Sequence, residues 1–321
     1  MADFYKNKKV LVAGGAGFIG SNLILKLLEA GAIVRASDIR ELQIKDKNIE
    51  YIKADFAKKE DCQKAVDGMD YVFMAAANTS GAAVMEKTPL VHVTPNIIMN
   101  SQILEASYGA GVKKFLFISS NTVYPDLDRP VNESDMKYGD VFYKYYFVAW
   151  MKQFSEVLCQ MYTKVKNPMK TVVVRPANSY GPYSDFEWET SHVIPALLRK
   201  VVEKHNPIEV WGDGEDIKDF IFVEDLVDGM MLAMEKIEDF DPVNLATGKP
   251  CTVKEILSHL LRLENYQDAK INFDASKPTM IKKRLIDPVK AKELLGFEAS
   301  TPLEVGLKKT IDWYKSTVKA V

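Results

Sequence analysis

The stretch "VLVAGGAGFIGSNL", residues 10–23, decides how the chain folds. An apolar run leads straight into Gly14, Gly17 and Gly20, and the amphipathic pattern "GSNLILKLLEAG" follows and stops on Gly31. A continuous apolar run bounded by glycines reads as a strand buried on both faces, and the period after it reads as a helix. The next run, "AIVRASD", ends on Asp38, so the opening of the chain is a strand, a helix and a second strand. In that setting each glycine of a GxxGxxG spacing has a purpose. The first allows a tight turn, the second lets the backbone approach a pyrophosphate, and the third lets the helix pack close to the strand. The helix N-terminus attracts the phosphate charge. Gly14, Gly17 and Gly20, with Phe18 and Ile19 inside the motif, are therefore assigned to a dinucleotide. A carboxylate about 20 residues on accepts hydrogen bonds from the adenosine ribose and repels a 2′-phosphate. Asp38 thus favours NAD, and Arg40 two residues later keeps NADP open as the alternative.

Working outward, "IKADFAK" ends a third strand with Asp55 and Phe56, placed to meet the adenine. The run "YVFMAAA" presents Ala75, Ala76 and Ala77, small enough for a cofactor to lie against the backbone or simply core alanines, and "KFLFISS" is another strand of the same kind. Apolar strands alternating with helices predict an α/β fold, a Rossmann-type doubly wound parallel sheet. After about Thr171 the texture changes to shorter strands punctuated by Pro and Gly. Residues 176–321 are expected to form a smaller C-terminal α/β lobe over the sheet's C-terminal edge, and residues 1–175 the dinucleotide domain, with the chain crossing between the two.

The charge balance, −2 from 42 basic and 44 acidic residues, excludes a global field of the kind that attracts nucleic acid or anionic lipid. Neither a signal peptide nor a bilayer-spanning run is read, so no membrane partner is expected. Cys62, Cys159 and Cys251 are widely spaced, which suits reduced thiols in a cytoplasmic protein better than a disulfide framework or a zinc site.

With these features in place, the chain resembles the extended short-chain dehydrogenase/reductase family of nucleotide-sugar epimerases, dehydratases and reductases. The resemblance rests on the glycine motif, "FISSNTVYP", "KQFSEVL", "VVVRPANSYGP", "VWGDGEDIKDFIFVEDLVDG" and "DPVKAKELLGFEASTPLEVGLKKTIDWY". "SSNTVYP", "SHVIPALLRK" and "KKRLIDPVK" are most similar to the GDP-sugar branch, that of GDP-L-fucose synthase and GDP-mannose epimerase. The resemblance implies NAD as cofactor, with Lys152 at its nicotinamide ribose and Pro176 among the cofactor-binding residues, and a GDP-sugar as substrate. It implies that Ser120 and Lys152 are catalytic and that His192 acts on the sugar. It places Asn178, Arg199 and Arg284 near the diphosphate, with Lys218 where the family usually has Arg. Trp211 is expected to stack on the base or to fill the lobe. The two apolar helices around "NIIMNSQILEASYGAG" and "FYKYYFVAWMKQFSEVLCQMY" imply a homodimer joined by a four-helix bundle.

One departure stands out. The family places a tyrosine four residues before the lysine, and the spacing of Lys152, Glu156 and Arg175 keeps the register, so Val148 occupies that position. Valine has no proton to exchange. The base is then Thr122, Tyr145, Tyr146, His192 or Lys152 itself, directly or through water. The family's dehydratases need an Asp-Glu pair where Asn121 and Thr122 stand, and its 3,5-epimerases need a Cys at Thr122. Simple hydride transfer at C4 of a GDP-linked manno-configured hexose or heptose remains, as a 4-dehydrogenase of glycan precursor synthesis. The alternatives are a 4-epimerase with tightly bound NAD and a non-catalytic protein that binds NAD and a nucleotide sugar.

Overall fold

The computed structural model describes residues 2–79, 82–277 and 279–318. Its strands are β1 (Lys9–Ala13), β2 (Ile33–Asp38), β3 (Ile49–Lys53), β4 (Tyr71–Met74), β5 (Lys114–Ile118), β6 (Lys170–Pro176), β7 (Asn178–Tyr180), β8 (Ile208–Trp211), β9 (Ile217–Phe222), β10 (Val243–Leu245), β11 (Pro250–Thr252), β12 (Ile271–Asp274) and β13 (Lys283–Arg284). The helices are α1 (Ala2–Tyr5), α2 (Phe18–Glu29), α3 (Lys59–Val66), α4 (Ala82–Lys87), α5 (Thr94–Gly109), α6 (Tyr146–Tyr162), α7 (Val193–Val202), α8 (Val223–Lys236), α9 (Val253–Leu263), α10 (Val289–Leu295) and α11 (Leu303–Thr317).

Seven strands form one sheet in the order β10-β6-β5-β4-β1-β2-β3. Every neighbouring pair in it is parallel. The fold is the expected Rossmann-type α/β sheet. Its strands read as unbroken apolar runs because both faces are covered. Val10 and Val12 point into a cluster with Leu23, Ile24 and Leu27 of α2 and Met230 of α8. Leu11 and Ala13 point the other way, into a cluster with Cys62 of α3, Ile103 and Leu104 of α5 and Cys159 of α6.

The sheet's last strand, β10, comes from residues 243–245, so the chain returns to the sheet after building part of the lobe. In the lobe β9 is the hub, pairing with β7, β11 and β13. β8 and β12 form a separate parallel pair. No helix among the described residues is long and apolar enough to cross a membrane.

Candidate active site

The C-terminal ends of β1, β2, β4 and β5 share one edge of the sheet, where open α/β sheets bind their ligands. After β1 the chain turns through Gly14 at φ +89°, and a Cβ there would sit 2.6 Å from the Ala76 Cα. Only glycine lets the turn touch the end of β4 so closely. A Cβ on Gly20 would stand 2.9 Å from the Gly14 carbonyl carbon, so the third glycine sets how near α2 lies to β1. Gly17 differs: a Cβ on it would meet nothing nearer than the Gly14 oxygen at 3.3 Å. It precedes α2 without a side-chain cap, leaving the first-turn N–H groups of Phe18 and Ile19 for an anion. These residues fit a pyrophosphate.

Asp38, at the end of β2, ties this turn together. Its Oδ2 accepts the Ala16 N–H at 3.1 Å and its Oδ1 the Arg40 N–H at 3.0 Å, with the Arg40 Nε 3.6 Å away. A carboxylate has acceptor capacity left for a ribose diol. The exposed Arg40 guanidinium reaches over the turn, 3.9 Å from where a Gly17 Cβ would be. Asp55 is half-buried and accepts the Ala57 N–H at 3.0 Å. Phe56 lies in the core with α3, so its ring is not free to stack on an adenine and only its backbone can meet one. Ala75 and Ala76 are half-buried and Ala77 is exposed along the edge.

At the end of β5, Ser120 caps the short turn 121–123, its Oγ accepting the Thr122 N–H at 3.1 Å. Asn121 donates to the Pro176 carbonyl at 3.1 Å. The Thr122 Oγ1 is buried and finds no partner among the described residues. Lys152, one face of α6 away, donates to the Ile118 carbonyl at 2.8 Å and lies over the Phe117 ring. Burial lowers its pKa to about 8, with Glu156 pulling the other way. Glu156 is itself committed: Arg175 grips it with two bonds of 3.0 and 2.6 Å, and Ser119 donates to it as well. Arg175 continues to the Tyr124 hydroxyl at 3.1 Å, which donates to Asn244 at 2.6 Å. This buried chain of polar groups bolts α6, β5, β6 and β10 together beneath the site. The sequence had no signal for Tyr124 and Asn244 as members of it.

Residues 10–246 match the NAD dependent epimerase/dehydratase family. The chain belongs to that family. NAD is its cofactor, in keeping with the open Gly17 turn and the Asp38 carboxylate. The chain is 29% identical to the probable GDP-L-fucose synthase 1 of rice, over 98% of this chain and 94% of the relative. It is 30% identical to the GDP-L-fucose synthase of Escherichia coli K12, over 96% of each. Its fold superposes on the UDP-glucose 4-epimerase of Thermotoga maritima solved with UDP-glucose, with a TM-score of 0.86, 28% identity, and 97% of this chain and 99% of that one covered.

In this epimerase/dehydratase family member Val148 is 9% exposed and packs with Tyr145, Ala149, Met151 and Ile281. It also lines a small recess with Pro89, His92, Lys144 and Phe147. Tyr145 is no ready base, because burial pushes its phenol up to about 12. Tyr146 is exposed and turns its ring to Phe147 and Trp150. His192 immediately precedes α7. The residue is exposed as a whole, and desolvation lowers its pKa; Asp185 raises it and His92 lowers it again. His92, with Asn78 and Asn96 around it, was missed by sequence reasoning. A single histidine in "PLVHVTP" carries no motif.

Strand register brings two cations together in the lobe: Arg284 of β13 is the partner of Lys218 in β9. Lys218 is bonded to Asp216 at 3.3 Å and to the Ile281 carbonyl. Arg284 donates to the Pro125 carbonyl at 2.8 Å and to Tyr124 O at 3.2 Å, while its buried Nε has no partner among the described residues. Burial lowers the pKa of Lys218 against the pull of Asp216, and Arg284 lowers it further. Arg199 is occupied elsewhere, bonded to Glu203 at 3.0 Å and to the Phe186 carbonyl at 2.8 Å, with Trp188 under its guanidinium. Asn178 is half-buried at the start of β7. Trp211 is 39% exposed at the end of β8 and donates to Glu209 at 3.1 Å.

Proposed function

We propose that the protein is an NAD-dependent oxidoreductase acting at C4 of a GDP-linked manno-configured sugar, a hexose or heptose, in glycan precursor synthesis. The observation that carries this reading is the turn after β5. Its Asn121 amide is spent on the Pro176 carbonyl and its Thr122 hydroxyl is a very weak acid, so it offers neither the carboxyl pair for elimination nor a thiol for deprotonation beside a carbonyl. NAD, when bound, takes a hydride from the sugar carbon or returns it.

The chain's own residues divide the rest of the work. The glycine turn and Asp38 hold the pyrophosphate and adenosine ribose, with Arg40 over the phosphates. Lys152, already fixed on the Ile118 carbonyl, is placed for the nicotinamide ribose, beside Pro176. Ser120 and the unpartnered Thr122 hydroxyl hold the reacting sugar hydroxyl, and His192 a second one. Lys218 and Arg284 repel one another across adjacent strands, and a diphosphate between them removes that repulsion and gives the orphaned Nε an acceptor. Asn178 adds a hydrogen bond to it and Trp211 offers its exposed face to the guanine. Arg199, neutralised by Glu203, supports the lobe more directly than it can hold a ligand. Residues 1–175 thus hold most of the cofactor and, through Ser120 and Thr122, the reacting hydroxyl, while residues 176–321 hold the rest of the nucleotide sugar, with β10 returned to the sheet.

The GDP assignment draws on the two GDP-L-fucose synthases above. We further assign the protein to the cytoplasm, where its three free thiols stay reduced. We also assign it a homodimer through α5 and α6. On α6 Tyr146, Phe147, Trp150 and Phe154 are all exposed, a cluster that a monomer seldom leaves in water.

A second reading, a C4 epimerase that keeps its NAD, is favoured by the likeness to the Thermotoga maritima 4-epimerase. GDP-mannose deuterated at C4 separates the two. An oxidoreductase delivers the deuterium to free reduced nicotinamide and leaves a 4-ketosugar. An epimerase returns it to carbon and yields the C4 epimer. Label retained on unaltered substrate contradicts both.

A further inference from the structure

The recess beside Val148 contains a histidine built as a base. His92 is 2% exposed, and its Nδ1 lies 3.1 Å from the Asn78 carbonyl oxygen. A carbonyl only accepts, so Nδ1 carries the proton and Nε2 carries the lone pair. That Nε2 is buried and has no partner among the described residues. A buried acceptor left unpaired is destabilising, so the arrangement calls for a donor that arrives from outside.

The ring is also held still. Asn96, 1% exposed, accepts the Asn78 N–H at 2.8 Å. Its Nδ2 donates to the Asn78 carbonyl at 2.9 Å and to the His92 carbonyl at 2.7 Å. Asn78 follows directly on Ala75, Ala76 and Ala77, so the histidine is anchored to the strand end that flanks the dinucleotide. The recess it shares with Val148 is small. Val148 holds the family's tyrosine position, and the void left by the missing phenol is thus lined by an imidazole.

We propose that His92 is the general base of this enzyme, accepting the proton of the reacting sugar hydroxyl at Nε2 in the place of the absent tyrosine. The assignment rests on the oxidoreductase reading. The O–H bond breaks and its proton passes to Nε2, while its electron pair forms the C4 carbonyl as the C4 hydride leaves to NAD, giving NADH. The imidazolium, stabilised by the Asn78 oxygen at Nδ1, then releases its proton to solvent. Around it, Lys144 lines the recess with its ammonium on the Thr279 carbonyl, and the His192 ring interacts with it electrostatically. Lys152 on α6 is bonded to Ile118, and Glu86 and Lys87 on α4 are exposed.

The test uses the full chain with NAD and GDP-mannose. His92→Gln should lower the rate of NADH formation by about 10²–10⁴-fold and abolish the loss of rate on acidification, with NAD and GDP-mannose affinities unchanged. Imidazole should restore part of the rate to His92→Ala. A His92→Gln protein that keeps the wild-type rate and pH profile overturns the proposal. Nitrogen NMR of the wild-type histidines reads the same claim without turnover or mutation. His92 should show the Nδ1–H tautomer, and its Nε2 resonance should move when GDP-mannose is added to the NAD-loaded protein. If wild type makes no NADH, the oxidoreductase reading has failed for the hexose; an unmoved Nε2 resonance then overturns the His92 assignment too, and a moved one upholds it as the group facing the sugar.

Discussion

At the scale of single residues, three side chains carry the proposed chemistry: Val148, His92 and Lys152. Refilling the recess tests the first. Val148→Tyr places a phenol next to His92, and we expect NAD binding to survive while the pH profile of hydride transfer changes; an unchanged profile would mean that position 148 does not face the reacting hydroxyl. Lys152 makes a stability prediction with a definite sign. Its pKa is depressed to about 8 in the folded protein, from an ordinary value near 10.5, chiefly by burial. Below pH 8 the ammonium is charged in both states and burial opposes folding in full. Between pH 8 and about 10.5 the unfolded chain holds more protons than the folded one, so stability rises with pH across that window. The rise should amount to roughly 3 kcal/mol in urea titrations of the NAD-free protein, and Lys152→Met should flatten it. A wild-type curve already flat from pH 8 to 10.5 would contradict the burial of this ammonium.

Among secondary elements, the edge of the sheet is held by the Arg175–Glu156 pair and by the contact of α2 with β1. Glu156→Gln strands a buried guanidinium and should cost about 3–5 kcal/mol in urea unfolding. A loss under 1 kcal/mol would show that water reaches the pair. Gly20→Ala forces a methyl against the Gly14 carbonyl, so the turn must open. NAD affinity, measured by calorimetry, should fall at least tenfold, about 1.4 kcal/mol. The glycine turn and the first five sheet strands were legible because their signals are local: period, glycine spacing and a carboxylate at a fixed distance. β10 was not, because three residues arriving from the lobe have no period to read. The same limit hid the Lys218–Arg284 pair, which exists only through strand register. It hid His92 as well, whose meaning comes from Asn78 and Asn96 and from a valine on another helix. Arg199 and Phe56 show the reverse. A residue type at an expected position can be spent on packing, and its sequence gives no warning.

For the molecule as a whole, the lobe and the sheet meet where Val148 of α6 packs on Ile281, so the site is closed by both. Assembly follows from what is left outside. Trp150 and Phe154 are 41% and 43% exposed on α6, and a four-helix interface would cover them. Sedimentation should give a dimer, and Trp150→Asp with Phe154→Asp should give a folded monomer; a monomeric wild type would contradict the interface. The most direct test of the functional reading asks only whether hydride moves. Protein with NAD is offered GDP-, UDP- and dTDP-sugars in turn, and the absorbance of reduced nicotinamide is followed. We predict reduction with a GDP-linked manno-configured sugar, to at least one equivalent per site. Measurable sugar binding with no reduced nicotinamide from any member of the panel would contradict it.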